Sequence, residues 1–184
     1  LLADDFAKNG FKVILIEYYN SDSLPPDALN DKTLNFRGWL ATHGAEVTCL
    51  PLDKVIAALT EEGITRFEAT SYCFGGRYTF DLVFDKVIQW AVVAHPHSWK
   101  SPKTSSKAPL LINACENDRL FPAESQAKTG EIFSDGNFAP GYRLEYFPDC
   151  THGFAVSGDV TDLLVKAGKE GSCRASVGFF LTYL

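Results

Sequence analysis

Short apolar runs alternate along this chain with segments whose apolar residues recur at helical spacing, and this alternation limits the folds open to it. Residues 13–16 and Trp90–Ala94 are continuous apolar runs with the length of strands buried on both faces. Between them, residues 51–62 place apolar side chains at i, i+3, i+4 and i+7, which predicts a helix with Pro51 near its first turn. Strands that alternate with helices form parallel sheets. We therefore expect an α/β protein with a mostly parallel sheet and helices on both faces.

The remaining elements follow the same alternation. Further strands are predicted at residues 67–72, 110–112 and 143–147, the last at a sheet edge, and further helices at residues 2–7, 75–84, 122–133 and 177–184. Residues 20–44 contain two prolines and several aspartates and asparagines, and irregular stretches of this length usually serve as lids or binding segments. No internal repeat or linker interrupts the pattern, so a single domain over residues 1–184 is predicted.

Composition narrows the classes of partner. The chain has 184 residues, of which 46% are hydrophobic and 22% charged, as in ordinary globular proteins. The net charge of -6 gives no reason to expect nucleic acid or an anionic membrane surface as a partner. No apolar stretch reaches the ~20 residues that a transmembrane helix requires.

The cysteines indicate a reducing environment. They are odd in number, widely spaced and contain no C-x-x-C pair, so neither a disulfide framework nor a zinc site is predicted. Free thiols favour the cytoplasm. The chain begins at Leu1 and contains no methionine, and we expect the natural protein to continue upstream, where a targeting signal would lie. The five cysteines are Cys49, Cys73, Cys115, Cys150 and Cys173.

Residues 71–76, Ser-Tyr-Cys-Phe-Gly-Gly, have the layout of a nucleophile elbow. In this tight strand-to-helix turn, a nucleophile flanked by small residues projects above the edge of a parallel sheet. Ser71 takes the position of the usual first glycine, and cysteine replaces the commoner serine. The small flanking residues suit the close approach of the strand and helix backbones. Cys73 is therefore the predicted nucleophile, although a lone cysteine is more often a small buried hydrophobe.

Two further strand ends carry residues that could assist Cys73. Asp118 follows the run at residues 110–112, and His152 follows the predicted edge strand. Active sites of parallel sheets collect at the carboxyl ends of the strands, and the order nucleophile, acid, histidine is that of α/β-hydrolases. Asp118 as a turn or helix-capping residue is the alternative interpretation.

Each residue then has a predicted role. His152 would accept the thiol proton or stabilise the thiolate, and Asp118 would hold the histidine in the required tautomer. The backbone N–H of Phe74 would supply one half of an oxyanion hole. Glu17 either tunes Cys73 electrostatically or serves as a structural partner for loop backbone. The remaining cysteines are interpreted as structural, and His43, His95 and His97 as loop residues or supports of the site.

Several motifs together resemble the dienelactone hydrolase (carboxymethylenebutenolidase) family, most closely its fungal, cytosolic-type members. They are residues 72–78 (Tyr-Cys-Phe-Gly-Gly-Arg-Tyr), 94–96 (Ala-His-Pro), Asp118 with Phe121-Pro122, and 151–155 (Thr-His-Gly-Phe-Ala). The resemblance implies an α/β-hydrolase fold, with the first strand or strands lying upstream of Leu1. It also implies a triad of Cys73, Asp118 and His152 that hydrolyses a lactone or small ester through a thiol-ester, without metal or organic cofactor. Tyr72, Phe121 and Phe154 are candidate pocket residues.

The chain departs from the bacterial members of that family. Those members carry a substrate-binding arginine shortly after the catalytic histidine, where this chain has Val156, and Glu17 does not match their glutamate. These departures count against carboxylate recognition of the kind used for dienelactone. The expected partner is a small-molecule ester or lactone, and the expected assembly is a monomer or homodimer. Two alternatives remain: a non-catalytic binding protein on the same fold, and a thiol-redox or stress protein in which Cys73 is oxidised.

Overall fold

Four parallel strands form the central sheet of the protein. The structure is a computed structural model that describes residues 2–25, 28, 31–97, 108–133 and 139–183. The strands lie side by side in chain order, β1-β2-β3-β4. Their bounds are β1 Glu68–Tyr72, β2 Trp90–Ala94, β3 Leu110–Asn117 and β4 Tyr142–Thr151.

Six α-helices accompany the strands in the described part of the chain. Their bounds are α1 Leu2–Lys8, α2 Phe36–Thr42, α3 Ala45–Glu61, α4 Gly76–Phe84, α5 Ala123–Phe133 and α6 Leu163–Tyr183. A short 3-10 turn, Cys73–Gly75, joins β1 to α4. None of the helices in the described ranges has the length and apolar character needed to span a membrane.

The strand register brings the carboxyl ends of β1, β2 and β3 together. Tyr72 pairs with Ala94, and Ala94 pairs in turn with Asn113. All five residues of β2 are buried, as its continuous apolar sequence predicts for a central parallel strand. The residues that follow β1 and β2 therefore lie next to each other at one edge of the sheet.

The two faces of the sheet bury different helices. Val93 and Ile112 point to one face and form a core with Phe80 of α4 and Phe133 of α5. The opposite face packs against α6, where Asn113 donates its side-chain N–H to Ser176 Oγ at 3.1 Å. Successive strand residues alternate between these two faces because the side-chain period of a strand is two. The predicted parallel sheet with helices on both faces is thus confirmed.

The chain divides into two compact units. Residues Leu1–Phe11 and Arg66–Leu184 form the first unit, which contains the sheet. Residues 12–65 form the second unit, which contains α2 and α3. Inside the second unit, Trp39 stacks on the His43 ring with 4.0 Å between centroids and donates its indole N–H to the Asp22 carbonyl.

Three predictions for the second unit were wrong. Residues 13–16 form no strand, and Leu15 is 85% exposed, because an apolar run becomes a buried strand only where neighbouring strands satisfy its backbone. The stretch 20–44, predicted to be irregular, contains helix α2. Helix α3 begins at Ala45, so Pro51 lies inside the helix rather than near its first turn.

The elements predicted for the first unit agree with the structure apart from their ends. Strand β2 has the predicted bounds, and β3 and β4 continue beyond the predicted strands to Asn117 and Thr151. Helix α6 begins at Leu163, well before the apolar stripe at residues 177–184 from which it was predicted. The ends of β3 and β4 were not predicted because they contain polar residues, and the sequence pattern for a buried strand consists of apolar residues.

Candidate active site

Cys73 occupies a strained turn at the carboxyl end of β1. Its φ of 48° lies in the left-handed region, which costs free energy for any residue other than glycine. A hydrogen bond from the backbone N–H of His97 to the Cys73 carbonyl, at 3.0 Å, fixes the turn. The conformation turns the chain sharply from β1 into α4 and agrees with the predicted elbow layout.

Gly76 explains why a small residue must follow the turn. A Cβ atom on Gly76 would lie 3.0 Å from Val93 Cγ1 and 3.2 Å from Pro96 Cβ. Both distances are tighter than ordinary van der Waals contact. The missing side chain therefore lets the start of α4 approach β2 closely, which holds Cys73 above the sheet edge.

The His152 ring reaches Cys73 from the far side of the site. His152 follows β4, and its backbone N–H donates to the Asn117 carbonyl at 3.2 Å. A shift in the register between β3 and β4 immediately precedes this contact, and such irregularities re-aim side chains near functional sites. His152 Nε2 lies 3.0 Å from Cys73 Sγ.

Asp118 completes a continuous chain of contacts. His152 Nδ1 lies 2.9 Å from both carboxylate oxygens of Asp118. Asp118 Oδ1 also accepts the backbone N–H groups of Leu120 and Phe121, at 2.8 and 3.0 Å. The Asp118 side chain is fully buried and the His152 side chain is 20% exposed. The carboxylate is therefore fixed by backbone donors, while the histidine stays open to solvent on one side.

The electrostatics of the pair favour a charged histidine. Burial works against the imidazolium, but the hydrogen bonds to Asp118 and Cys73 outweigh it and raise the pKa of His152 to about 9. Burial also works against the Asp118 carboxylate, but the hydrogen bonds from His152 and the backbone outweigh it and lower the pKa of Asp118. Asp118 thus remains ionised and stabilises a proton on His152.

A second cysteine lies beside Asp118. The Cys115 thiol is 3.8 Å from Asp118 Oδ2 and is completely buried. Burial, together with the negative charge of Asp118, raises the pKa of Cys115 to about 12. Cys115 is therefore a protonated thiol that can donate weakly to the carboxylate, in keeping with its predicted structural role.

His95, predicted as a loop residue or a support of the site, lies against the His152 ring. This histidine follows β2, is completely buried, and contacts the His152 ring at 4.9 Å between centroids. One sequence signal does place His95 near the site: it directly follows a strand, and that strand neighbours the one that leads to Cys73. A single histidine in an Ala-His-Pro segment carries no spacing that would separate a site residue from a loop residue.

The other predicted site residues lie in differing surroundings. Phe121 and Phe154 are buried in the core. Tyr72 is half-buried, and its desolvation raises the pKa of its hydroxyl to about 12. The Phe74 ring contacts Tyr78 at 5.5 Å. In the second unit, the Glu17 carboxylate accepts the backbone N–H groups of Tyr19 and Ser21, which matches its structural alternative. The pocket, tuning and oxyanion roles of these residues stay predictions.

A cavity of about 240 Å³ lies at the opposite end of β2 and is lined by Val83, Lys86, Ile88, Gln89 and Ala108. Within the described ranges, no group of three or more histidine, cysteine or acidic side chains is arranged to hold a metal ion.

Comparisons with known proteins show the family to which the chain belongs. The family model described as the dienelactone hydrolase family matches residues 1–184. Hydrolase pyvD of Aspergillus violaceofuscus is 29% identical over 190 residues, which cover 100% of this chain and 74% of that protein. Hydrolase tropI of Talaromyces stipitatus is 27% identical, with coverage of 100% and 75%. Dienlactone hydrolase 2 of Gibberella moniliformis is 24% identical, with coverage of 98% and 70%.

A solved structure shares the fold. The crystal structure described as a dienelactone hydrolase from Klebsiella pneumoniae superposes with a TM-score of 0.58 at 19% identity. The match covers 73% of this chain and 62% of that one, so this chain spans less than two thirds of the solved protein. The likeness shows the α/β-hydrolase fold. The family and the names of the relatives support the predicted class of ester or lactone hydrolase.

Proposed function

Because the chain belongs to the dienelactone hydrolase family, we propose that it hydrolyses a small ester or lactone through a thiol-ester on Cys73. One observation carries the proposal: Cys73 Sγ, the His152 ring and the Asp118 carboxylate form an unbroken chain with contacts of 3.0 and 2.9 Å. Such a chain can move a proton away from the nucleophile and hold it on the histidine.

The first half of the reaction forms the thiol-ester. The Cys73 proton passes to His152 Nε2, and the thiolate sulfur attacks the carbonyl carbon of the ester. The carbonyl π bond opens onto oxygen and gives a tetrahedral intermediate. When the intermediate collapses, the bond from carbon to the alkoxy oxygen breaks, and the leaving oxygen takes the proton from Nε2. For a lactone, the leaving alcohol stays attached to the acyl group.

The second half releases the acid. His152 Nε2 takes a proton from water while the water oxygen attacks the thiol-ester carbon. Collapse of the second intermediate breaks the bond between carbon and sulfur, and the proton on Nε2 returns to Cys73. The enzyme is regenerated, and one water has been consumed for each ester cleaved.

One backbone group and one side chain suit the charges that develop during the reaction. The backbone N–H of Phe74 directly follows the nucleophile at the start of the 3-10 turn, where it can donate to the developing oxyanion. Asp118 remains ionised and stabilises the imidazolium at each proton transfer. Removing a single oxyanion donor typically costs about 10²–10³ in kcat, so Phe74 would carry a substantial share of the rate.

The substrate proposed is an uncharged ester or lactone. Val156 lies four residues after His152 and is 44% exposed. An apolar side chain there offers no ion pair to a substrate carboxylate, whereas it can contact an alkyl or ring carbon. We therefore expect neutral substrates to be preferred over those that carry a carboxylate near the scissile bond.

The test compares Cys73→Ala with wild type and with Cys173→Ala, a matched control that removes a half-buried thiol on α6. Each protein is assayed with p-nitrophenyl acetate and a panel of lactones, and any acyl adduct is followed by intact mass. We expect Cys73→Ala to lower kcat at least about 10³-fold and to abolish the adduct. The Cys173→Ala protein should turn over normally. Equal turnover by the Cys73→Ala and wild-type proteins would contradict the proposal that Cys73 is the nucleophile.

A further inference from the structure

His95 is a buried histidine that follows a central strand of the sheet. It follows β2 directly and is 0% exposed. Neither ring nitrogen has a hydrogen-bond partner among the residues that the structure describes. Its backbone, by contrast, is tied to the sheet through a hydrogen bond from its N–H to the Asn113 carbonyl at 2.9 Å. Among the described residues, the ring is held in place by its strand and by packing.

This arrangement costs folding free energy. A neutral imidazole has one donor and one acceptor, and a buried polar group without a protein partner is destabilising. The backbone adds strain, because His95 has a φ of 38° in the left-handed region. An apolar side chain with the same backbone conformation would avoid the cost of burying the ring nitrogens. A histidine kept under these conditions suggests a role other than stability.

The contacts of the ring point to that role. His95 meets the His152 ring with 4.9 Å between centroids and an interplanar angle of 67°, an edge-type arrangement. Phe154 contacts His95 in a similar geometry, at 5.6 Å and 66°. Phe154 lies two residues after His152 and is buried, so His95 packs against both aromatic rings of the turn that carries His152.

The place of His95 in the sheet strengthens the argument. Strand β2 lies between β1, which leads to Cys73, and β3, which leads to Asp118. The residue after β2 therefore sits between the two partners that His152 must reach at once. Rotation of the His152 ring would break the contact with Cys73 Sγ, the contact with Asp118, or both.

We propose that His95 is a positioning residue whose ring holds the imidazole of His152 in the orientation that bridges Cys73 and Asp118. The role rests on the proposed function, because it concerns the histidine of the proposed triad. His95 itself is too deeply buried to touch a substrate. Its effect on the reaction therefore passes entirely through His152.

The charge state of His95 suits this role. The titratable groups that face it are His152 on the turn after β4, Asp118 after β3 and Tyr72 at the end of β1. Burial and the neighbouring His152 lower the pKa of His95 to about 3, against the weaker opposing effect of Asp118. At neutral pH His95 is an uncharged aromatic ring. It neither repels a protonated His152 nor competes for the proton of Cys73.

The experiment compares two replacements that both remove the nitrogens but differ in aromaticity, His95→Phe and His95→Leu. Val92→Ala, a buried change in the strand that His95 follows, is the control for general loss of packing. The first readout is the pH midpoint of Cys73 alkylation by iodoacetamide, which reports the coupling between Cys73 and His152. The second is the split between kcat and KM on p-nitrophenyl acetate.

His95→Leu is expected to move the alkylation midpoint away from its wild-type position and to lower kcat about 10-fold or more at similar KM. His95→Phe should keep the alkylation midpoint and kcat close to their wild-type values. Val92→Ala should leave the midpoint where it is in wild type. A wild-type midpoint in folded His95→Leu overturns the proposal, and so does an equal shift in the Phe and Leu proteins.

One measurement needs no variant and covers the case in which a variant fails to fold. Histidine ring resonances of the 15N-labelled wild-type protein are followed between pH 5 and pH 8, and His95 is expected to stay neutral throughout. Protonation of His95 within that range would overturn the proposal. Alkylation and NMR do not require turnover, so a failure of the proposed hydrolysis, seen as equal rates in wild type and Cys73→Ala, remains distinguishable from a failure of the His95 role.

Discussion

Cys73 and Cys115 carry the same thiol in opposite surroundings, and single-residue chemistry predicts their reactivity. Cys73 is partly exposed and touches His152, whereas Cys115 is buried and its pKa is raised to about 12. Limiting iodoacetamide at pH 7 should therefore label Cys73 first, by roughly tenfold or more over Cys115, as read by peptide mass spectrometry. His152→Ala should slow the labelling of Cys73 alone. An unchanged rate would show that the two side chains are not coupled.

Asp118 offers a second test at the same scale. Asp118→Asn keeps an oxygen that can accept the backbone N–H groups of Leu120 and Phe121, but it removes the charge beside His152. We expect the turn to survive, the pKa of His152 to fall, and kcat to drop roughly 10²–10⁴-fold. The checks are steady-state kinetics and the histidine resonances across pH. Full activity in Asp118→Asn would contradict the orienting role.

Individual residues also show what sequence alone could predict about the site. Cys73, Asp118 and His152 can be predicted to lie close together because each follows a strand, and parallel strands bring their carboxyl ends to one edge. Their burial, distances and pKa directions depend on packing that no local pattern encodes. The backbone donors that fix Asp118 and the ring of His95 against His152 are contacts between distant parts of the chain, and no spacing rule describes them.

At the scale of elements, two glycines of α6 form a matched pair. A Cβ on Gly168 would clash with Cys150 Sγ and lie 3.3 Å from Phe154 Cδ2, whereas a Cβ on Gly178 meets nothing within 4 Å. Gly168→Ala should lower the free energy of unfolding by about 1–3 kcal/mol. It should also reduce kcat, because it pushes on the strand end and turn that carry His152. Gly178→Ala should raise stability by about 0.5–1 kcal/mol. Urea unfolding with an activity assay checks both, and equal effects would contradict the packing.

The elements show where periodicity succeeds as a guide and where it fails. Strand β2 was predicted to the residue because it is apolar on both faces. Residues 13–16 have the same pattern but no strand, and Ile14 is 45% exposed there. An apolar run shows that a segment can be buried. Whether it becomes a strand depends on whether other strands of the fold pair with it. The placement of Pro51 inside α3 likewise shows tertiary context overriding a local signal.

At the scale of the whole molecule, two histidines shape stability against pH in opposite directions. The folded pKa of His95 is about 3, below its ordinary 6.5, so stability is present above pH 6.5 and falls as pH drops towards 3. The folded pKa of His152 is about 9, so its contribution is complete below pH 6.5 and is lost as pH rises through 9. Stability should therefore be greatest near pH 6.5, with a loss of the order of a few kcal/mol on each side.

Urea unfolding of wild type, His95→Phe and His152→Ala between pH 4 and pH 9.5 tests this prediction. His95→Phe should flatten the acid side of the curve and leave the alkaline side unchanged. His152→Ala should flatten the alkaline side. An acid side as steep in His95→Phe as in wild type would contradict the buried neutral state of His95.

The left-handed backbone of Cys73 has a consequence for how sequences of this kind can diverge. At a φ of 48°, glycine is the residue with the least strain. A descendant freed from the need for its reaction would gain stability by exchanging Cys73 for glycine. Under the proposed function, a thiol or hydroxyl at this turn reflects selection for chemistry rather than for stability, and residue 73 is the position where we expect hydrolases to differ from relatives that keep only the scaffold.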